Sequence, residues 1–278
     1  MIDSIVVPLD GSRLAETAIP TARWLARSAH GGLHLLHIRP GDEKPEAAEG
    51  YLGEAAATIG KGDGPATDYE VREGAVLEAL QAAVCSRGAN LVVMATRGQG
   101  DPGPLGRRSV AERLAACSAA PILLVKHCPG STPPGEPKAF RKIIAALDLE
   151  RDPARSIAGL ADFASLSQAH VTLLTVVSND FAEQGVRESR CRDALAHLDA
   201  LADQLRALGA RVAARVAVGS DVATTILAEA ARGAADLIVL RPRSCPPQIT
   251  ELFGRTTDAV IRRATTPVLV LPPVAASA

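Results

Sequence analysis

Five stretches of the first half of the chain recur in the same order in the second half, and this repetition limits the fold more than any single residue does. Ile5 to Asp10, IVVPLD, is matched by Ile143 to Asp148, IIAALD. Leu33 to Ile38 is matched by Val171 to Val177, Thr67 to Arg72 by Arg215 to Gly219, Leu91 to Ala95 by Asp236 to Leu240, and ILLVK after Pro121 by Pro267 to Leu271. The offset is 138 from Asp10 to Asp148, 145 from Gly74 to Gly219 and 146 from Pro121 to Pro267, so it grows mainly in one segment, after the second strand. Apart from Thr67 to Arg72, which is polar, each stretch is a short apolar run of strand length, and amphipathic or alanine-rich helical segments lie between them. Alternation of strand and helix requires parallel pairing and right-handed crossovers. The fold class expected is α/β, with two doubly wound parallel-sheet domains of five strands each. Their bounds are 1–126 and 139–278, and residues 127–138, HCPGSTPPGEPK, read as a linker.

Local signals refine this plan. Asp10-Gly11-Ser12 ends the first strand, and Pro20 should kink or split the helix that follows. A helix is expected from Pro45 to Ile59, another with Val76, Leu77, Leu80 and Val84 on one face, and another with Val110, Leu114 and Cys117 on one side. The extra residues of the second half make a longer helix, about Arg187 to Leu208, carrying Leu195, Leu198, Leu201, Leu205 and Leu208.

Composition excludes several function classes. A net charge of -1 offers nothing to a nucleic-acid backbone or an anionic membrane surface. No apolar run is long enough to span a bilayer, and MIDSIVVPLD lacks the basic start of a signal peptide, so a cytoplasmic protein is expected. The five cysteines form no C-x-x-C pair and read as reduced thiols. His34 and His37, three apart on a strand, point to opposite faces and do not share a metal. No Ser–His–Asp or Cys–His grouping suggests nucleophilic catalysis.

The stretch Asn90 to Ser109, NLVVMATRGQGDPGPLGRRS, carries the chemistry. A strand buried on both faces empties into a glycine-rich loop and then into a helix start that Ser109 can cap. Free N–H groups at that start, together with Arg97, Arg107 and Arg108, favour an anion, and in a doubly wound sheet Asp10 falls near the same crevice. Asp10 there is either a hydroxyl-accepting carboxylate or the cap of its own turn. The second copy, DLIVLRPRSCPPQITELFGR, has prolines and arginines where the first has glycines; Arg241, Arg243 and Arg255 are read as surface or inter-domain pairing residues.

In order and spacing these motifs resemble the universal stress protein family, arranged as two such domains in one chain. The carriers are I-V-V-P-L-D-G-S at Ile5 to Ser12, R-E-G at Arg72 to Gly74, N-L-V-V-M-A-T-R-G at Asn90 to Gly98, and S-V-A-E-R-L with A-P-I-L-L-V from Ser109 to Val125. In the second half they are G-A-A-D-L-I-V-L at Gly233 to Leu240 and T-P-V-L-V-L at Thr266 to Leu271. The resemblance implies Rossmann-like domains that bind ATP or a related adenine nucleotide, with magnesium, in a stress-response regulatory protein. The implied site is Pro8, Asp10, Ile38, Met94, Ala95, Arg97, Gly98, Arg108 and Ser109, with weaker counterparts Asp148, Val176, Leu240 and Gly254. ATP-binding members carry Gly, two residues, Gly, nine residues, then Gly before Ser or Thr. Those places fall here on Ala95, Gly98, Arg108 and Ser109, and in the second half on Arg241, Ser244, Gly254 and Arg255. The resemblance also implies pairing of the domains through Ile122 to Val125 and Val268 to Leu271, and a homodimer. A nucleotide-free scaffold for protein partners and a slow ATP hydrolase, served by Asp101 or Glu112, are the alternative functions.

Overall fold

A strand with no polar face is stable only between two other strands and under helices on both sides, and Ser4–Pro8 (β1), with Ile5, Val6 and Val7 fully buried, occupies that position in the first unit. The computed structural model describes residues 2–39, 41, 44–97, 109–127, 139–150, 153–179, 184–242 and 254–272, and the chain packs as two units, Met1–Ala139 and Phe140–Ala278.

The first unit adds Gly32–Arg39 (β2), Thr67–Glu73 (β3), Leu91–Arg97 (β4) and Ile122–His127 (β5). They run parallel in the order β3-β2-β1-β4-β5. The chain lays β2 and β3 on one side of β1, then returns to place β4 on the other, with Ile5 opposite Leu91 and Val6 opposite Val92. Strand order therefore reverses between β1 and β4. The second unit repeats this with Lys142–Ala146 (β6), His170–Val177 (β7), Arg211–Val218 (β8), Leu237–Leu240 (β9) and Val268–Val270 (β10), parallel in the order β10-β9-β6-β7-β8.

The helices follow the local signals. Pro20 lies in the first turn of Ile19–Ala29 (α2), and the chain before it forms a separate short helix, Arg13–Glu16 (α1), so the expected single helix is split. Pro45–Ile59 (α3) buries Ala48, Leu52 and Ile59. Val76–Ser86 (α4) and Val110–Cys117 (α5) complete the unit. Val76 and Val110 are each the first residue of their helix and stand exposed; the buried face begins at Leu80 in α4 and at Ala111 in α5. The second unit carries Pro153–Ser167 (α6), Gln184–Ala207 (α7), Val222–Arg232 (α8) and Arg255–Arg263 (α9). Along α7 the buried stripe is Leu198, Leu201, Ala202 and Leu205. Leu195 turns out of that stripe, and Leu208 lies beyond the last helical residue, so both are exposed.

One side chain in each unit fixes the reversal. Asn90, just before β4, accepts from the backbone N–H groups of Asp3 at 3.3 Å and Ser4 at 3.1 Å, and its own N–H reaches the Ser4 carbonyl. Asp236, just before β9, does the same to Arg141 at 2.8 Å and Lys142 at 3.0 Å. The amides at the start of a strand lack a ladder partner there, and the Asx side chain supplies one. At the outer edge of the first unit, buried His34 bonds Asp68 through Nδ1 at 2.7 Å, and Arg87 bonds both Asp68 at 2.9 Å and Glu70 at 3.2 Å. Burial pushes the Asp68 carboxyl up, but His34 and Arg87 outweigh it and hold it below the usual range. Bonding to Arg72 holds Glu70 low as well, against burial. A cavity of about 400 Å³ opens at this amino-terminal edge of β1, β2 and β3, lined in part by Asp3, His34, Asp68 and Arg87. His34 is bonded there through Nδ1 only: its buried Nε2, 3.4 Å from Glu70, makes no hydrogen bond.

Asp236→Ala removes two hydrogen bonds to a charged acceptor and is expected to cost about 1–3 kcal/mol in urea unfolding. An unchanged midpoint would show that Asp236 does not hold the reversal.

Candidate functional site

A parallel sheet exposes ligands to its crevice where strand order reverses, beyond the carboxyl ends of the strands. In the first unit this is the space above β1, β2 and β4. Pro8 ends β1 opposite Leu36, and the Leu9 N–H still donates to the Leu36 carbonyl at 2.8 Å. The chain then turns at Asp10-Gly11-Ser12. Gly11 has φ +77°, in the left-handed region, and a Cβ there would meet nothing within 4 Å, so backbone angle rather than space selects glycine.

The turn is closed by its own side chains. Asp10 Oδ1 accepts from the Ser12 N–H at 3.0 Å, and Ser12 Oγ accepts from the Ala15 N–H at 3.1 Å to cap α1. Both readings of Asp10 are thus compatible: one carboxylate oxygen closes the turn, and the exposed side chain keeps a second oxygen that has no partner among the described residues. Below the turn, His37 on β2 bonds the Leu9 carbonyl at 2.8 Å through Nδ1. A carbonyl only accepts, so Nδ1 carries the proton. Thr175 does the same to the Leu147 carbonyl at 3.0 Å in the second unit. His34 and His37 therefore serve different partners, as their spacing implies, and no group of three or more His, Cys, Asp or Glu side chains able to hold a metal occurs among the described residues.

Of the other expected residues, Ile38 sits half-buried near the end of β2, Met94 is buried in β4, and Ala95 is half-buried one residue later. Arg97 is the last residue of β4. Gly98 and Arg108 lie outside the described residues, as do Asp101 and Arg107. Ser109 caps α5 in a capping box: its Oγ accepts from the Glu112 N–H at 3.2 Å, and the Glu112 carboxylate accepts from the Ser109 N–H at 3.0 Å. Glu112 is thereby occupied as a helix cap, which weakens its reading as a water-orienting acid. The Ser109 hydroxyl keeps its proton to donate.

The second unit arranges the same places differently. Asp148 accepts from the Glu150 N–H at 3.2 Å, and Val176 and Leu240 hold the places of Ile38 and the end of β4. Gly254 is the N-cap of α9 and supplies no side-chain cap. Arg241 donates to the Pro272 carbonyl at 2.7 Å, so this guanidinium is engaged within its own unit. Arg243 and Ser244 lie outside the described residues.

Two residues not singled out from the sequence also reach the first crevice. Tyr51 on α3 donates its phenol to Glu16 at 3.1 Å and sets its ring edge-on to His37 with centroids 6.2 Å apart. Burial, then Glu16 and Asp10, push the phenol well above its ordinary value, so it remains a donor throughout the physiological range. The available signal was its place beside buried Leu52 in a chain with only two tyrosines.

The family model described as the universal stress protein family matches residues 1–126 and again 139–272. The chain belongs to the universal stress protein family. Among solved structures, this universal stress protein is similar to one from Archaeoglobus fulgidus DSM 4304, at 18% identity over 98% of this chain and 97% of that one, with a TM-score of 0.74. It is also similar to a functionally unknown protein from Pseudomonas aeruginosa PAO1, at 19% identity over 98% and 93% of the two chains, with a TM-score of 0.67. At these identities the likeness is one of fold. A comparison with curated proteins finds none that matches.

Ser109→Ala removes the capping acceptor and is expected to cost about 1 kcal/mol in thermal or urea unfolding. A loss under about 0.3 kcal/mol would mean that the cap contributes nothing beyond what solvent supplies.

Proposed function

We propose that the first unit binds an adenine nucleotide, ATP or a relative, and that the protein acts as a regulatory module of the stress response in the cytoplasm rather than as an enzyme. The observation that carries this reading is Asp10: it stands at the reversal of strand order, exposed, with one carboxylate oxygen unpartnered among the described residues. A sugar hydroxyl is the natural donor to it. Pro8, Ile38, Met94 and Ala95 would pack against the base, and the loop from Arg97 through Gly98 and Arg108 to Ser109 would take the phosphates. In that loop the arginines replace contacts that glycines would otherwise give through the backbone. Magnesium would arrive on the phosphates, since the described residues offer no ligand set of their own. Asp148, Val176, Leu240 and Gly254 make a poorer second crevice, because Arg241 already donates to Pro272 and α9 starts without a side-chain cap.

A second reading, a nucleotide-free scaffold for protein partners, is favoured by one observation. Glu112 places a carboxylate at the start of α5, where a phosphate would otherwise sit closest to the helix N–H groups.

Thermal unfolding with millimolar ATP and magnesium separates the two. A ligand at 100 times its Kd adds about 2.7 kcal/mol and raises the midpoint, and Asp10→Ala is expected to remove most of that shift. An unmoved midpoint for the wild-type protein would leave the scaffold reading in place.

A further inference from the structure

Independently of the nucleotide reading, we propose that His34 is a proton-operated latch on the edge strand β3: with one proton it holds the strand through Asp68, and with a second, on Nε2, it also draws in Glu70.

The His34 side chain is only 5% exposed, and both of its ring nitrogens stand beside carboxylates of β3. Nδ1 lies 2.7 Å from Asp68 Oδ1, and because a carboxylate only accepts, Nδ1 carries a proton. The neutral ring then keeps a lone pair on Nε2, and this buried atom lies 3.4 Å from Glu70 Oε2 with no hydrogen bond. A buried acceptor set against a carboxylate is unfavourable. The other neutral tautomer only turns the lone pair onto Asp68, at the shorter distance. A proton on Nε2 makes the ring a cation between two carboxylates.

The charges around the ring favour that proton. From β3 come Asp68, Glu70 and, beyond Glu70, Arg72, whose Nε is 2.5 Å from Glu70 Oε1. From the end of α4 comes Arg87, 2.9 Å from Asp68 and 3.2 Å from Glu70. Before β1, Asp3 lines the same cavity, and β1 itself sets uncharged Val6 in register with His34. The residues that α4 buries, Leu80, Ala83 and Val84, are apolar. Burial and the two guanidinium groups oppose a cation on His34. Both guanidinium groups, however, are bonded to the carboxylates and not to the ring, whereas opposite charges as close as the two carboxylates favour the charged form. In the second unit Thr172 holds the place of His34, in register with Ile144 as His34 is with Val6, and it stands opposite Ala213 instead of an acid. The latch belongs to the first unit.

The unfolded chain has no such bracket for the second proton. Its stabilisation is therefore complete at the acid end of the histidine range and is lost as pH rises through that range. Asp68 and Glu70 stay charged meanwhile, because His34 and Arg87 outweigh burial at Asp68 and bonding to Arg72 outweighs it at Glu70. Their own contribution is lost only as pH falls through the low carboxylate range.

Hydrogen exchange of the full chain, followed amide by amide by NMR and corrected for intrinsic rates, tests this between about pH 8 and about pH 6. In the wild-type protein, protection of the β3 amides is expected to rise about tenfold on acidification while that of the β8 amides stays unchanged. Glu70→Gln keeps the shape of the side chain and removes the charge beside Nε2, so it is expected to abolish most of the rise, as is His34→Gln. Wild-type β3 protection that does not rise, or that rises equally in β8, overturns the proposal, and so does a rise that persists in Glu70→Gln. Should His34→Gln fail to fold, the wild-type ring decides: nitrogen resonances of His34 that show a single protonated nitrogen at about pH 6 overturn the latch, and two protonated nitrogens support it.

Discussion

Everything at the ligand edge depends on strand order turning back between the first and fourth strands of each unit. The leading amides of the first strand take their partner from a side chain here. Asn90 and Asp236 provide it from the residue before the fourth strand, taking two N–H groups at the start of the first strand. Once β1 lies against β4, and β6 against β9, the loops at the other end must diverge. That divergence is the crevice.

The two units show what a duplication retains and what it exchanges. The tie beneath the first-strand turn is made by a histidine in one unit and a threonine in the other, to the same carbonyl. The edge strand is pinned to its helix by an acid on the strand in the first unit, Glu70 with Arg87, and by a base on the strand in the second, Arg215 with buried Glu229. The helix after the third strand begins at uncapped Ala75 in one and at Asp221, which accepts from Thr224, in the other. Geometry is shared while residues differ. The exchange matters at the crevice, where Asp10 of the first unit has one carboxylate oxygen without a partner among the described residues, and Arg241 of the second donates to Pro272 of its own unit.

Much of this was legible before the fold was known. Alternating strands and helices, the repeat offsets, the break at Pro20 and the helix from Pro45 to Ile59 follow from short-range chemistry, and the structure has them where the residues put them. The third strand of the second unit starts earlier than its match to the first unit suggests, at Arg211, and the added residues include buried Val212. The buried faces of α4 and α5 were over-counted at Val76 and Val110, since periodicity does not say where a helix first meets the sheet. Asp10 was readable as a candidate from its place at the end of a strand. Tyr51 was not, because it meets Glu16 across 35 residues of sequence, through the packing of α3 over the sheet. The loop residues Gly98 and Arg108 lie outside the described residues, so their part remains a reading of sequence alone.

The central claim is that one scaffold is used twice and that one of its two crevices is equipped for an adenine nucleotide. The stoichiometry of ATP binding, by calorimetric titration of the full chain with magnesium present, tests it most directly. The account predicts one nucleotide per chain. Two per chain would mean that the second crevice is equally equipped, and none would mean that neither crevice is, and either result contradicts it.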